Sequence, residues 1–264
     1  MSVRPIQPNS TQGVTPSALT QPASLPCDRC AGRLLGVCAP LCNQGLASLV
    51  AMGGQRGWAK RQRLYYGNDP AQAFYKITKG IVAEFMDVAE DGRRQIVAIR
   101  TVGDLCGYPT RKGRYVFSGL AITPVEACAF EAKRFSAHMG RNLEFACAVA
   151  DDVSERLNQA AVRLAVVGRL RSLERVAHFI VEMEERLRLR RTYSVPFELH
   201  LTREEIGDYL GLTLETVSRA FTKLKDMRFI ALVGADVVAV LDRKRLSEVA
   251  EGALGKPEKI AVIR

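Results

Sequence analysis

The sequence predicts an α+β chain built from an N-terminal antiparallel β-roll, a long dimerisation helix and a C-terminal winged helix-turn-helix. Three observations carry that reading. Between about Gln62 and Glu131, short apolar runs alternate with turn signals. From about Leu143 to Leu170, apolar residues recur at three- and four-residue steps. Between Thr202 and about Met227, caps, a small residue and a glycine are spaced for two short helices joined by a tight turn.

The 264 residues suit two domains. Residues 1–26 are rich in Ser, Thr, Gln and Pro, with Arg4 as their only charged side chain. Such a stretch has too little apolar surface to offset its ordering entropy, so it reads as a disordered tail. Residues 27–140 read as a cysteine-rich segment followed by a β-roll sensor domain, with a short helix near Ala47–Ala51. The expected strands include Phe74–Ile77, Ile81–Phe85, Gln95–Ile99 and Ala127–Phe130. Gly67-Asn68-Asp69-Pro70, Lys79-Gly80, Asp91-Gly92 and Gly103-Asp104 punctuate the roll, and Asp-Gly between strand-like runs signals a hairpin.

Residues 141–170 read as the dimerisation helix. Ala146, Val149, Val153, Leu157, Ala160, Leu164 and Val167 fall close to a heptad seam. Such a helix could also pack on its own β-domain; the small apolar seam residues favour a partner chain. Residues 171–264 read as the winged helix-turn-helix domain. It opens with a helix over Leu173–Leu189 and an arginine-rich exit. The wing hairpin pairs Phe229–Val233 with Val237–Leu241, and Asp242 caps a last helix through Val249.

A formal net charge of +10 and a pI near 9.5 favour a polyanionic partner, nucleic acid first and a membrane surface second. There is no long uncharged apolar run and no signal-peptide core, so the expected compartment is the cytoplasm. Seven cysteines in that compartment point to metal or redox roles rather than structural disulfides. His138, His178 and His200 are isolated in sequence, and no catalytic constellation is visible, so no enzyme is expected.

Thr202 and Glu205 have the spacing of a capping box at the start of the first helix. Ile206 and Leu210 make its buried face, Gly207 leaves room for a crossing helix, and Gly211 ends it. Leu212 plugs the turn and Thr213 caps the second helix, whose inward residues are Val217, Ala220 and Leu224. Glu215, Ser218 and Arg219 then face outward at the end that enters a major groove. Glu215 can accept from cytosine N4, Arg219 can grip guanine O6 and N7, and Ser218 is short enough to approach a base. Lys223, Lys225 and Arg228 follow as phosphate contacts. From Thr202 to Arg228 the basic and acidic side chains balance, so affinity must come from a dimer and from neighbouring basic residues.

Cys27, Cys30, Cys38 and Cys42 are clustered at the start of the ordered sequence. Thiolates at these spacings can wrap one iron–sulfur cube or one tetrahedral zinc ion. Cys106 lies by a glycine turn as either a ligand or a small core residue, and Cys147 lies on the dimer helix as a packing residue.

The run from Leu201 to Arg219 resembles the CRP/FNR regulators, specifically the FNR branch. Tyr75-Lys76-Ile77, Gly80, Asp91-Gly92-Arg93-Arg94-Gln95-Ile96 and Gly103-Asp104 look like the β-roll landmarks of that family. The resemblance implies a cyclic-nucleotide-binding-like roll and covers nearly everything after residue 27. It also implies that Glu215, Ser218 and Arg219 read a TTGAT-type half-site, twice in a palindromic operator on double-stranded DNA. The implied partners are a second copy of the chain and RNA polymerase. Relatives that bind cyclic nucleotides carry a Gly-Glu and a downstream Arg-Ser. Here the first reads Gly103-Asp104 and no Arg-Ser occurs between Gly107 and Gly119, which weighs against cyclic AMP.

For the cysteines, the resemblance implies a [4Fe–4S] cluster held by Cys27, Cys30, Cys38 and the β-roll Cys128. Cys42 is the competitor for Cys38, and zinc is the alternative occupant. The implied function is oxygen-sensitive activation of anaerobic or microaerobic genes, with the cluster controlling dimerisation. The alternative is a regulator of the same family without a cluster, responding to thiol redox or another effector.

Overall fold

The computed structural model describes residues 26–88, 94–189, 196–234 and 236–252. The tail expected over residues 1–26 falls almost entirely outside them. So do the Asp91-Gly92 turn and the arginine-rich exit.

Two single turns of 3-10 helix (Pro26–Arg29 and Gly36–Cys38) lead into α1 (Asn43–Met52). The strands β1 (Gly53–Trp58), β2 (Arg63–Tyr65), β3 (Ala73–Lys79), β4 (Val82–Asp87), β5 (Arg94–Arg100), β6 (Leu105–Cys106), β7 (Ser118–Ala121) and β8 (Val125–Glu131) follow. They form two four-stranded antiparallel sheets, in the orders β1-β8-β3-β6 and β2-β7-β4-β5. After the roll come α2 (Ala132–Met139), α3 (Leu143–Arg169), α4 (Ser172–Leu189), β9 (Phe197–Glu198), α5 (Arg203–Leu210), α6 (Leu214–Asp226), β10 (Ile230–Val233), β11 (Val237–Val240) and α7 (Arg243–Ala250). The small sheet β10-β11-β9 is the wing.

The sheet begins earlier than the apolar pattern indicates. The stretch over β1, Gly-Gly-Gln-Arg-Gly-Trp, shows no two-residue alternation, yet it pairs along its length with β8. The pairing is imposed by the partner strand: a Cβ at Gly53 would lie 2.6 Å from the Ala129 carbonyl and from the Phe130 ring, so only glycine lets the strands close there.

Strand β3 is buried on both faces and divides two cores. Toward the roll interior, Tyr75 and Ile77 join Val82, Ala121, Ala127 and Ala129. Toward the outside, Phe74 joins Leu105 and Phe130, and this face is covered by Phe135 of α2, Phe145 and Val149 of α3, and Val37, Leu41 and Leu46 of the N-terminal segment. A third core joins Ala83, Phe85, Ile96 and Ile99 of the second sheet to α4, α5 and α6. Full burial of each such large side chain stabilises by about 1.5–3 kcal/mol.

Asn142 caps α3 by accepting from the Phe145 N–H at 2.9 Å. The helix begins buried on its own roll and then leaves it. Phe145, Ala148 and Val149 are buried, whereas Val153 is 46%, Leu157 70% and Leu164 76% exposed. The two readings of the seam therefore divide the helix: its N-terminal turns cover the roll, and its middle presents an unpartnered apolar stripe.

Candidate DNA-reading face and cysteine pocket

The turn between α5 and α6 is built by local chemistry. The Thr202 hydroxyl accepts from the Glu205 N–H at 3.1 Å, and the Glu205 carboxylate accepts from the Thr202 N–H at 2.9 Å, closing the capping box. Gly211 ends α5 with φ +66°, in the left-handed region. Gly207 gives room for the turn, since a Cβ there would meet the Leu212 carbonyl at 2.5 Å. Thr213 caps α6 by accepting from the Thr216 N–H at 3.3 Å. Val217, Ala220 and Leu224 are buried as the spacing predicts, together with Phe221, one position past Ala220.

Glu215 and Arg219 are exposed on the first turns of α6, and Ser218 between them is half-buried. The N–H of Glu215 itself at the helix start and the Thr213 hydroxyl hold the Glu215 carboxyl below its ordinary pKa, so it is an ionised acceptor. Lys223, Lys225 and Arg228 are exposed further along. One short helix end thus displays an acceptor, a small hydroxyl and a forked donor, with cations behind them.

This motif is locked to the roll by charged contacts. Arg61 pairs with Glu205 through both carboxylate oxygens, Arg94 Nε donates to Asp208 at 2.8 Å, and the Gln95 amide donates to the Asp208 carbonyl. Arg175 donates to the Val167 carbonyl of α3 at 2.5 Å and to the Leu210 carbonyl of α5 at 3.2 Å.

On the opposite side of the roll, Cys27, Cys30, Cys38 and Cys128 line one cavity of about 340 Å³, together with Arg33 and Lys76. Cys128 sits in the middle of its sheet, opposite Gln55 on β1 and Lys76 on β3. The other three come from the loop over residues 27–38, which lies across that face. Arg33 folds the loop back by donating to the carbonyls of Cys38 at 2.7 Å and Leu41 at 2.9 Å. Burial pushes the thiols of Cys27, Cys38 and Cys128 up, the last to about 11, while Lys76 draws all three down. Buried thiols of this kind ionise when a metal centre receives their sulfurs. Four thiols lining one cavity are a donor set of the kind a sulfur-ligated centre uses. Among the described residues, no three His, Cys, Asp or Glu side chains converge closely enough to hold a metal ion.

The remaining cysteines lie elsewhere. Cys42 precedes α1 and is exposed, its Sγ 4.0 Å from Glu144 Oε2. Cys106 is fully buried in the roll interior beside Tyr65 and Glu84, and burial pushes its thiol up. Cys147 is exposed on α3 rather than packed. A second cavity, of about 420 Å³, separates the roll from α3 and is bordered by Glu84, Arg100, Arg156 and Arg163. At its border Glu84 accepts from Arg100 at 2.6 Å and from Tyr65 at 2.8 Å, while the buried Arg163 Nη1 has no hydrogen-bond partner among the described residues. Asp104 accepts from the Thr101 N–H at 2.8 Å and pairs with Arg186 of α4 at 2.9 Å.

Lys76 is the residue of this site that sequence reasoning read only as a fold landmark. Its signal is a lysine inside the apolar run Phe74–Ile77, on a strand whose other positions are core.

Comparison with known proteins covers both halves. The family described as cyclic nucleotide-binding domain matches residues 55–142, and the Crp-like helix-turn-helix domain matches residues 174–249. The transcriptional activator protein FnrL of Cereibacter sphaeroides is 33% identical over 226 residues, spanning 84% of this chain and 90% of that protein. The nitrogen fixation regulation protein FixK of Bradyrhizobium diazoefficiens is 31% identical over 224 residues, spanning 85% of this chain and 93% of that protein. The structure of FixK2 from Bradyrhizobium japonicum superposes with a TM-score of 0.69 at 29% identity, covering 75% of this chain and 96% of that one. The chain belongs to the FNR branch of the CRP/FNR family, whose members are DNA-binding transcription regulators rather than enzymes.

Proposed function

We propose that this chain is an oxygen-responsive transcription activator that reads a TTGAT-type palindrome as a homodimer, with a [4Fe–4S] cluster held by Cys27, Cys30, Cys38 and Cys128. One observation carries the proposal: these four thiols, drawn from a loop and from a central strand of the roll, line a single cavity. The likeness to an activator named FnrL supports the same reading. When bound, the cluster supplies an oxygen-labile iron–sulfur centre.

The rest follows from what the chain's own residues touch. The cysteine loop is wedged between the roll and α3. Val37 packs with Phe145 and Val149 of α3, and a Cβ at Gly36 would meet the Gly103 carbonyl at 2.2 Å. A ligand that ties Cys27, Cys30 and Cys38 to Cys128 therefore holds the loop against α3. The exposed stripe of Val153, Leu157 and Leu164 then pairs with the same stripe of a second copy, placing two α6 helices on two half-sites. Release of the loop shifts the population toward a monomer with half the contacts. Glu215, Ser218 and Arg219 read bases, Lys223, Lys225 and Arg228 hold phosphates, and RNA polymerase is the downstream partner. Asp104 is already committed to Arg186 and the Thr101 N–H, which argues against a cyclic nucleotide as effector. No helix among the described residues is long and apolar enough to cross a membrane, in keeping with a regulator working in the cytoplasm.

Anaerobic purification followed by iron and sulfide analysis and an absorption spectrum tests the proposal. The expected result is a coloured protein with equal iron and sulfide that binds its operator without air and releases it on exposure. A colourless, iron-free protein that binds equally well in both conditions would overturn it.

A further inference from the structure

Lys76 is 1% exposed, on the outer face of β3. Its ammonium donates to the Gly32 carbonyl at 2.6 Å, inside the cysteine loop, and among the described residues no carboxylate pairs with it. A buried ammonium with only a carbonyl for company is strongly disfavoured, because its lost hydration is not replaced by an opposite charge. The groups across the cavity are the four thiols. Cys128 is the residue directly opposite Lys76 in the pairing of β3 with β8. We propose that Lys76 is the fixed counter-charge and clamp of the cysteine pocket, a positioning residue that pins the loop through Gly32 and matches the negative charge of the sulfur ligands. This rests on the cluster reading above for the nature of the negative charge, but not for the clamp.

Two measurements separate these parts. In full-length protein loaded anaerobically, Lys76→Met should lose its iron–sulfur absorption roughly tenfold faster after an air pulse, matching the low end of the roughly 10–100-fold loss of metal affinity usual when a residue behind metal ligands is removed. It should also show a more negative reduction potential, since a cation that stabilises the reduced centre is gone. Lys76→Arg, which keeps the charge, should restore most of both. A folded Lys76→Met with unchanged decay and potential would overturn the counter-charge. If that variant does not fold, Gly32→Ala replaces it: a Cβ there would stand 2.7 Å from the ammonium but 3.4 Å from the Ile77 carbonyl of β3 and the Gly103 N, so the flexible ammonium is the group displaced. Its decay should be faster than wild type, and equal decay would overturn the proposal.

The clamp is read in metal-free protein by trypsin cleavage after the exposed Arg29. Cleavage should be several-fold faster in Lys76→Met, and equal rates would overturn the clamp whatever the metal content. Wild-type protein that never takes up iron would sink the cluster reading while leaving this measurement able to judge Lys76.

Discussion

On α6, the candidate base-reading residues fall within five consecutive positions of one exposed helix end. In the cysteine pocket, the ligand candidates run from position 27 to position 128 and meet only because β8 lies under a loop from the other end of the domain. The first region shows its chemistry to solvent and organises it by caps. The second buries its chemistry and organises it by topology. A short-range device can be moved with little regard for the rest of the chain, whereas a long-range one reports on the fold that assembles it. That contrast suits the proposed function: the part proposed to read DNA is local, and the part proposed to respond is the part whose assembly can fail.

The largest expected effect comes from severing the two regions while leaving each intact. Replacing Leu157 and Leu164 together by Glu puts charge in the exposed stripe of α3, away from both sites. Sedimentation should then show a monomer that keeps its anaerobic absorption. Operator affinity should fall by roughly a thousandfold, toward non-specific binding. A dimer with undiminished affinity would mean that the two α6 helices are joined by some other surface.

Glu205 joins the regions from the DNA-binding side. Glu205→Ala removes half of the capping box, the carboxylate's hydrogen bond from the Thr202 N–H, for about 1 kcal/mol, while the Thr202 hydroxyl still accepts from the N–H of residue 205. It also removes the charged hydrogen bonds from Arg61, for about 2 kcal/mol more. Thermal or denaturant unfolding measures the total. Burial pushes the Glu205 carboxyl up, but hydrogen bonds from Arg61 and the Thr202 N–H, with the charges of Arg61 and Arg94, hold it below its ordinary value. A carboxyl lowered in the folded state contributes stability above its unfolded pKa of about 4.3, and that contribution is lost as pH falls through the folded value. The gap between wild type and variant should therefore be full at neutral pH and narrow only in acid. A gap that stays constant into acid would show that the charge of Glu205 is irrelevant.

Arg219→Ala should cost about 1–3 kcal/mol of operator affinity and relax preference at one guanine, leaving the absorption spectrum unchanged. Binding titrations on wild-type and altered half-sites check this. Retained preference would place another face of α6 in the groove.

These variants also mark what was legible in the sequence. The helix-turn-helix was readable residue by residue because each of its rules (cap, glycine, buried plug) acts within four positions. The roll was readable where short apolar runs are set off by turn residues, and not at β1, where three glycines, a glutamine and an arginine take strand geometry only because β8 is beside them. The α3 seam was readable as apolar, but not as divided, since burial of Val149 depends on Phe74 and Phe130 from strands distant in sequence. Lys76 was passed over for the same reason: the period of a strand says which face a lysine takes, but not what covers that face.

The smallest expected effect is the most discriminating for the pocket. Spacing alone leaves Cys38 and Cys42 equivalent, because either can follow the Cys27–Cys30 pair within reach of one cluster. The structure separates them by direction. The turn over Gly36–Cys38 packs its buried residues on α3 and brings Cys38 to the cavity, after which the chain swings outward and leaves Cys42 exposed beside Glu144. Cys42→Ser should therefore leave iron content, absorption and anaerobic operator binding at wild-type values. On the proposed ligand set, Cys38→Ser should abolish the absorption, since a buried thiol would be lost from the cavity with no replacement in line. Reversal of the two outcomes would mean that the loop refolds around its occupant and that the cavity formed by Cys27, Cys30, Cys38 and Cys128 is a resting arrangement.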